Sequence, residues 1–200
     1  MHFIPDLIAC LASVSAVSAV GIRNYRAGTC KGSNFGQCEN VKTYACCDKS
    51  ATKSVYSSSL FKGLPTTGLG VLCNREAGKN CGRVHQAGNG LSACVAKSNT
   101  RGSFWFDCRQ TGTCPKGRAT QPDVSKLAHI QAIETVTPDI VGIDYHQFYT
   151  NETTPEYVVD ALFELLETDV IYEDIPAELK KYEKLLNKEE QEQEDAEWGV

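Results

Sequence analysis

Cysteine is absent from the chain after Cys114, which is the last of ten cysteines. Acidic residues are almost as rare in the first part, where residues 20–120 contain only Glu39, Asp48, Glu76 and Asp107. The same range contains fifteen Lys and Arg, whereas residues 121–200 contain five Lys against twenty Asp and Glu. The chain therefore joins a basic part of net charge +11 to an acidic part of net charge −15.

Catalytic motifs are scarce as well. The chain has four histidines and lacks both the Gly-x-Ser-x-Gly motif and the closely paired C-x-x-C spacing of zinc sites. Acid–base catalysis needs a second histidine or a well-placed carboxylate, so His85 would have to act with Glu39 or Glu76 and an arginine. We predict no catalytic residue, no metal and no cofactor, with a secreted ribonuclease-like enzyme as an alternative.

The N-terminus has the pattern of a secretory signal. The apolar run from Leu7 to Val17 is followed by small residues suited to cleavage near Ala19. It is short for a membrane span, which needs about 20 apolar residues. We expect residues 1–19 to be a signal peptide, Cys10 to be removed with it, and the mature chain to be extracellular.

Nine cysteines then remain in a short basic region, and in an oxidising compartment this density predicts a disulfide framework. They are Cys30, Cys38, Cys46, Cys47, Cys73, Cys81, Cys94, Cys108 and Cys114. Because the number is odd, one thiol is free or forms a disulfide-linked dimer. The adjacent pair Cys46 and Cys47 is expected to tie one strand to two distant segments, since a bond between neighbours is strained.

Turn residues and short β-prone runs predict a small disulfide-rich β or α+β domain over residues 20–118, with one short helix near 54–61. Helical periodicity then predicts an acidic α-helical region over 119–200. Its helices are expected near 124–133, from Thr154 and from Pro176, with disorder beyond about residue 188. The apolar faces of these helices could pack on one another or dock onto the basic domain.

Two further features are candidates for sites. Arg101, Trp105 and Arg109 surround two phenylalanines, and strict alternation along a strand would turn Phe104 and Phe106 inward and Trp105 outward as a ligand-stacking residue. Asn151 begins the sequon Asn-Glu-Thr and is the expected glycosylation site.

The chain resembles the small secreted cysteine-rich proteins of fungi. Cys30-Lys31-Gly32-Ser33 and Gly88 to Ala93 are similar to segments of KP-four-type killer toxins, a resemblance that implies a basic secreted toxin acting on cation channels. The order Cys38, Cys46-Cys47, Cys73, Cys81, Cys94 and Cys108 resembles that of hydrophobins, although the second doublet is missing. That second resemblance implies a surface-active protein.

These observations favour a secreted, non-enzymatic toxin or effector-like protein. Its basic domain would engage an anionic or membrane component on the surface of a host or competitor cell. The acidic region would contact the basic domain as a mask or serve as a partner module. Removal of this region as a propeptide would need a processing site near Lys116-Gly117-Arg118.

Overall fold

A computed structural model describes residues 19–49, 56–115, 121–168 and 170–198. The predicted signal peptide lies outside these residues, apart from Ala19. The described chain forms these strands: β1 Val20–Tyr25, β2 Phe35–Val41, β3 Ala45–Cys47, β4 Tyr56–Lys62, β5 Gly68–Asn74, β6 Arg83–Asn89, β7 Ser92–Thr100, β8 Gly102–Asp107, β9 Glu134–Val136, β10 Ile140–Ile143 and β11 His146–Tyr149. Its α-helices are α1 Cys108–Thr111, α2 Glu156–Glu167, α3 Ala177–Lys180 and α4 Lys188–Trp198, with 3-10 helices at Val124–Leu127 and Tyr172–Asp174.

The strands form two sheets that pack face to face. Sheet A has the order β11-β10-β2-β1-β4-β7, and sheet B has the order β6-β5-β8-β3-β9. Neighbouring strands are antiparallel except β3 and β9, which pair in parallel. Between the sheets, Ile22 and Phe61 of sheet A pack with Leu72 and Trp105 of sheet B. This two-sheet core confirms the predicted small disulfide-rich β architecture.

A buried polar cluster also joins the sheets. The Asn24 side-chain amide donates to the carbonyl oxygen of Cys47 at 2.9 Å, and its oxygen accepts from Ser103 Oγ at 2.5 Å and from Ser59 Oγ. Because each polar group of Asn24 has a partner, its burial carries no unpaired-group penalty.

Other segments of the chain pack against each sheet outside the core that the two sheets share. Phe104 and Phe106 on the outer side of sheet B pack against Leu127 and Ile130. The apolar face of α2 packs against strand residues of sheet A, including Val141 and Phe148. Among the described residues, none of the helices combines the length and the apolar composition of a membrane-spanning segment.

The C-terminal region is not wholly helical, which corrects one expectation. Only Val124–Leu127 of the predicted 124–133 helix is helical, as a single 3-10 turn. Residues 134–149 form β9, β10 and β11, which join both sheets. The β-branched run in Ile140–Ile143 favours a strand, and Asp144 and Tyr145 make the hairpin turn with positive φ of 49° and 67°.

Four other expectations meet different outcomes. The helix predicted after Thr154 is confirmed as α2, and the one predicted from Pro176 extends for one turn as α3. The helix near 54–61 is wrong, because residues 56–62 form β4 between β1 and β7. Disorder beyond 188 is also wrong, because α4 ends on Trp198, whose side chain is buried.

Four disulfides confirm the predicted framework among the described residues: Cys30–Cys94, Cys38–Cys47, Cys46–Cys81 and Cys108–Cys114. Alternation along β3 sends the two doublet cysteines to opposite faces. Cys47 therefore bridges to β2 in sheet A, while Cys46 bridges to the segment between β5 and β6.

Cys73 is the unpaired cysteine of the described residues and is fully buried. Burial, followed by the charge of Asp48, raises the pKa of its thiol far above the ordinary value. A disulfide-linked dimer would thus lack a surface thiol in the described part of the chain.

This burial predicts a latent thiol. In a chain carrying Cys10→Ser, the native protein should give no reaction with Ellman's reagent. The thiolate is the nucleophile in this reaction, and the core keeps the reagent away from the buried Cys73 thiol. One thiol should react after unfolding in guanidinium chloride without reductant. Rapid reaction of the native protein would contradict the burial of Cys73, and Cys73→Ser provides the zero-thiol control.

Candidate functional site

Several basic side chains lie near the edge strand β6 of sheet B and the edge strand β7 of sheet A. Arg83 lies on β6, Lys97 on β7, Arg75 just after β5 and Arg101 between β7 and β8. With His85 on β6 they form a group that we call the basic edge: Arg75, Arg83, His85, Lys97 and Arg101.

Strand pairing in sheet B and the close approach of β6 to β7 bring these residues together. Asn74 is the register partner of Arg83, and its side-chain amide lies 3.0 Å from His85 Nδ1. The backbone N–H of Arg101 donates to the carbonyl oxygen of Cys73 at 2.8 Å. At Gly88, a Cβ atom would lie 2.7 Å from Val95, so the two edge strands β6 and β7 approach closely.

The basic edge is electropositive enough to affect its histidine. Partial burial lowers the pKa of His85, and the nearby cations of Lys97 and Arg83 lower it further. Arg83 and Lys97 are exposed and form no ion pair with any residue of the described ranges. They are therefore available to an anionic ligand.

Arg101 has a different role, because it neutralises a buried acid. Its Nε lies 2.5 Å from Asp48 Oδ2, and the Asp48 side chain is 1% exposed. Burial raises the pKa of Asp48 to about 7, against the opposing effect of the Arg101 charge. The pair fixes Arg101 at the border of the basic edge.

The predicted binding group of Arg101, Trp105 and Arg109 does not form one surface. Trp105 is 8% exposed and faces sheet A, where its Nε1 donates to the carbonyl oxygen of Val41 at 2.7 Å. Its predicted outward orientation is wrong because both faces of β8 are covered. Arg109 is exposed and makes a 2.8 Å ion pair with Asp107, the N-cap of α1.

The acidic region contacts the basic region on other surfaces. Its ion pairs within the described chain include Arg23–Glu194 at 2.8 Å, Lys49–Asp160 at 2.7 Å and Lys62–Glu197 at 2.6 Å. Arg26 also donates to the carbonyl oxygen of Leu166. These contacts hold α2 and α4 against the rest of the chain.

A cleft of about 580 Å³ opens between the segment around β2 and β3 and the segment from β9 to α2. Its acidic lining residues include Glu39, Asp139 and Glu152. Burial raises the pKa of Asp139, although the backbone N–H of Glu39 donates to its carboxylate and opposes the shift. Such a lining favours polar or cationic groups over anions.

The predicted glycosylation residue lies at this cleft. Asn151 lines it, and the side-chain oxygen of Asn151 accepts from the N–H and hydroxyl of Thr153 at 3.1 and 2.7 Å. The sequon thus sits in a turn that leads into α2.

Two histidines have side-chain partners in the described chain. His85 has Asn74, rather than Glu39 or Glu76, as its hydrogen-bond partner in the described chain. His146 Nδ1 lies 2.6 Å from Glu183, whose other oxygen accepts from the Tyr172 hydroxyl at 2.7 Å. Sequence spacing carried no signal for this group, because its members come from β11 and two later segments.

Comparison with known families finds a match over more than half of the chain. The model of the family ARB_05566_N, described as an N-terminal domain, matches residues 21–137. This range includes β1 from Gly21 onward, the strands β2 to β9 and the segment that covers the outer face of sheet B. No curated protein and no solved structure matches the chain.

Proposed function

Since the chain belongs to the ARB_05566_N family, here a disulfide-linked β-sandwich, we propose that it is a secreted, non-enzymatic toxin or effector-like protein. Its basic edge engages an anionic component on the surface of another cell. The acidic C-terminal region acts as a partner module that covers a different basic surface.

The observation that carries this proposal is the convergence of basic residues from β6 and β7 at one edge. Arg83 and Lys97 add two exposed cations without ion pairs in the described chain. The nearby acids are already engaged, because Asp48 pairs with Arg101 and Glu76 pairs with Lys79 at 2.8 Å. Exposed cations such as Arg83 and Lys97 attract anionic surfaces and accelerate encounter with them.

The positions of the acidic contacts support the same proposal. Glu194 and Glu197 bind Arg23 and Lys62 on sheet A, whereas Arg83 and Lys97 lie on the edge strands β6 and β7. The acidic region can therefore remain bound while the basic edge meets its target. Four disulfides support a site of action in an oxidising compartment.

Charge reversal at the basic edge is expected to weaken binding to an anionic surface. Each basic residue near such a surface contributes about 1 kcal/mol, so Arg83→Glu with Lys97→Glu should reduce affinity at least about tenfold. Sedimentation with vesicles of phosphatidylcholine and phosphatidylserine, and elution from heparin-agarose, measure this effect. Purified protein added to fungal, bacterial and plant cells then tests whether binding is followed by growth arrest.

The matched control is Lys181→Glu with Lys188→Glu, which changes net charge equally at two exposed residues of the C-terminal region. This control should bind within about twofold of the native chain. Equal losses in the two double variants would show that only net charge matters. Unchanged binding by a folded Arg83→Glu, Lys97→Glu variant would reject the basic edge as the site.

A further inference from the structure

Helix α4 attaches to the sandwich differently from α2. The α2 helix buries five apolar residues, which are Val158, Val159, Leu162, Phe163 and Leu166. In α4, by contrast, the buried apolar side chain is Trp198, and the sequence Lys188–Trp198 is otherwise almost wholly polar. Its contact with sheet A depends mainly on Glu194 and Trp198, which lie four positions apart on one face of the helix.

The Glu194 carboxylate occupies a receptor made of donors. One oxygen accepts from Arg23 Nη2 at 2.8 Å and from Gln147 Nε2 at 2.7 Å. The other accepts from Lys184 Nζ at 2.7 Å. A carboxylate that loses its contact with water needs other hydrogen-bond donors. Glu194 has three such donors, and two of them are positively charged.

The Trp198 indole occupies the adjoining position. The Arg23 guanidinium carbon lies 4.3 Å from the Trp198 ring centroid and 4.1 Å from the Phe35 centroid, so the cation is stacked between two rings. Lys62 Nζ lies 4.6 Å from the same indole. The space exists because residue 21 is glycine, where a Cβ atom would lie 3.0 Å from the Trp198 ring.

Arg23, Phe35, Lys62 and Gln147 belong to sheet A, and the segment that carries Lys184 is docked on this sheet, because the Lys184 backbone N–H donates to the carbonyl oxygen of Gln147 at 2.7 Å. Arg23 Nε donates to Gln37 Oε1 at 2.6 Å, which orients the guanidinium on β1 from the neighbouring strand β2. Phe35 and Lys62 are likewise held on β2 and β4. The site is therefore preformed on a rigid sheet.

The helix is easier to displace than the sheet. Isolated helices shorter than about 12–15 residues are marginal in water, and α4 has eleven residues with one buried apolar anchor. Segments with few buried apolar contacts open at the low end of the stability range. Opening of α4 would uncover an oriented arginine beside an aromatic ring and two lysines.

We propose that the surface beneath α4 is a binding site for an acidic helical segment of a partner protein that presents a carboxylate and an aromatic ring four positions apart. Helix α4 is the intramolecular competitor for this site. The charge of the receptor and the shape of the present occupant define the partner's chemistry. This site is separate from the basic edge and goes beyond the function proposed for it.

The test uses the full chain and a labelled peptide of residues 186–200 as the probe. A chain carrying Glu194→Gln and Trp198→Ala should bind this peptide at least about tenfold more tightly than the native chain, whose own α4 competes at millimolar effective concentration. Fluorescence anisotropy measures the two affinities. A peptide with the same two substitutions is the matched control and should not bind.

Two further measurements test whether the peptide binds at the site that α4 occupies. Adding Arg23→Gln to the double variant should abolish peptide binding, and in the native chain excess peptide should accelerate amide hydrogen exchange within α4 but not within α2. Equal weak binding by native and double-variant chains, with no change in α4 exchange, would overturn the proposal. The variant Arg83→Glu, Lys97→Glu should retain peptide competition, which distinguishes failure here from failure of the basic edge.

Discussion

Replacement of Trp105 by alanine is expected to lower the free energy of unfolding by about 3–5 kcal/mol. The side chain is 8% exposed and packs between the sheets with Ile22, Phe61 and Leu72. Its removal leaves a cavity between two sheets that are joined by a disulfide and cannot close freely. It also leaves the carbonyl oxygen of Val41 without the indole donor. Equilibrium unfolding in guanidinium chloride measures the loss.

Two controls separate packing from exposure. Trp105→Phe keeps much of the ring, so it should cost less than the alanine variant. Leu91→Ala changes a residue that is 70% exposed and should alter stability by less than about 0.5 kcal/mol. If Trp105→Ala instead left stability unchanged and reduced ligand binding, Trp105 would be a surface residue, as its sequence pattern predicts.

Replacement of Arg101 by methionine is expected to cost about 3–5 kcal/mol at pH 9 and much less at pH 5, about 1–2 kcal/mol. The reason is the buried Asp48 carboxyl, whose pKa in the folded chain is about 7 against an ordinary value of 3.8. Removing one partner of a buried ion pair leaves the other charge uncompensated. A protonated carboxyl has no such charge, so acid pH should rescue the variant.

The direction of this pH dependence follows from proton binding. With a raised pKa, the folded chain holds the Asp48 proton more tightly than the unfolded chain, so stability from this group declines as pH rises from about 4 to about 7. Arg101 lowers the pKa, and without it the decline continues above pH 7. The difference between the native and Arg101→Met chains should therefore grow above pH 7 by about 1.4 kcal/mol per pH unit.

Asp48→Asn provides the control for this experiment because it removes the titrating carboxyl. In a chain that already carries Asp48→Asn, the cost of Arg101→Met should no longer depend on pH. A loss of equal size at pH 5 and pH 9 in the native background would show that Asp48 is not the responsible group. Urea unfolding at each pH supplies the free energies.

The sequence was sufficient for features that depend on short-range pattern. The β-prone runs between turn residues, the apolar periodicity of α2 and the divergence of Cys46 and Cys47 all follow from neighbours in the chain. The free energy that decides these features is largely local. They are accordingly reproduced in the fold.

Features that depend on which segment covers the outer face of a sheet were not predictable from short-range sequence pattern. Alternation indicates which residues share a face, and Phe104 and Phe106 do lie on one face with Trp105 on the other. It cannot indicate which face is covered when residues 127–132 cover one side and sheet A covers the other. The spacing of Leu127 and Ile130 predicts a helix, whereas it reflects a covering segment on sheet B.

The candidate site was missed for a related reason. Arg83 and Lys97 lie on the edge strands of different sheets, and only the packing of β6 on β7 brings Lys97 near Arg83 and His85. The α4 site was missed because one tryptophan and one glutamate give no apolar stripe. In both cases total charge was visible in the sequence, but its location required the sheet topology.

The pairing of β10 with β2 and of β9 with β3 has a consequence for biosynthesis. Glu39 and Asp139, which hydrogen-bond across this junction, are 100 residues apart in the chain. During synthesis, one edge of β2 and one edge of β3 must wait for strands that emerge much later, while unpaired edges invite association with other chains. Folding to completion should therefore be slow relative to local hairpin formation, and two strand edges stay open to such association until residue 143 has emerged.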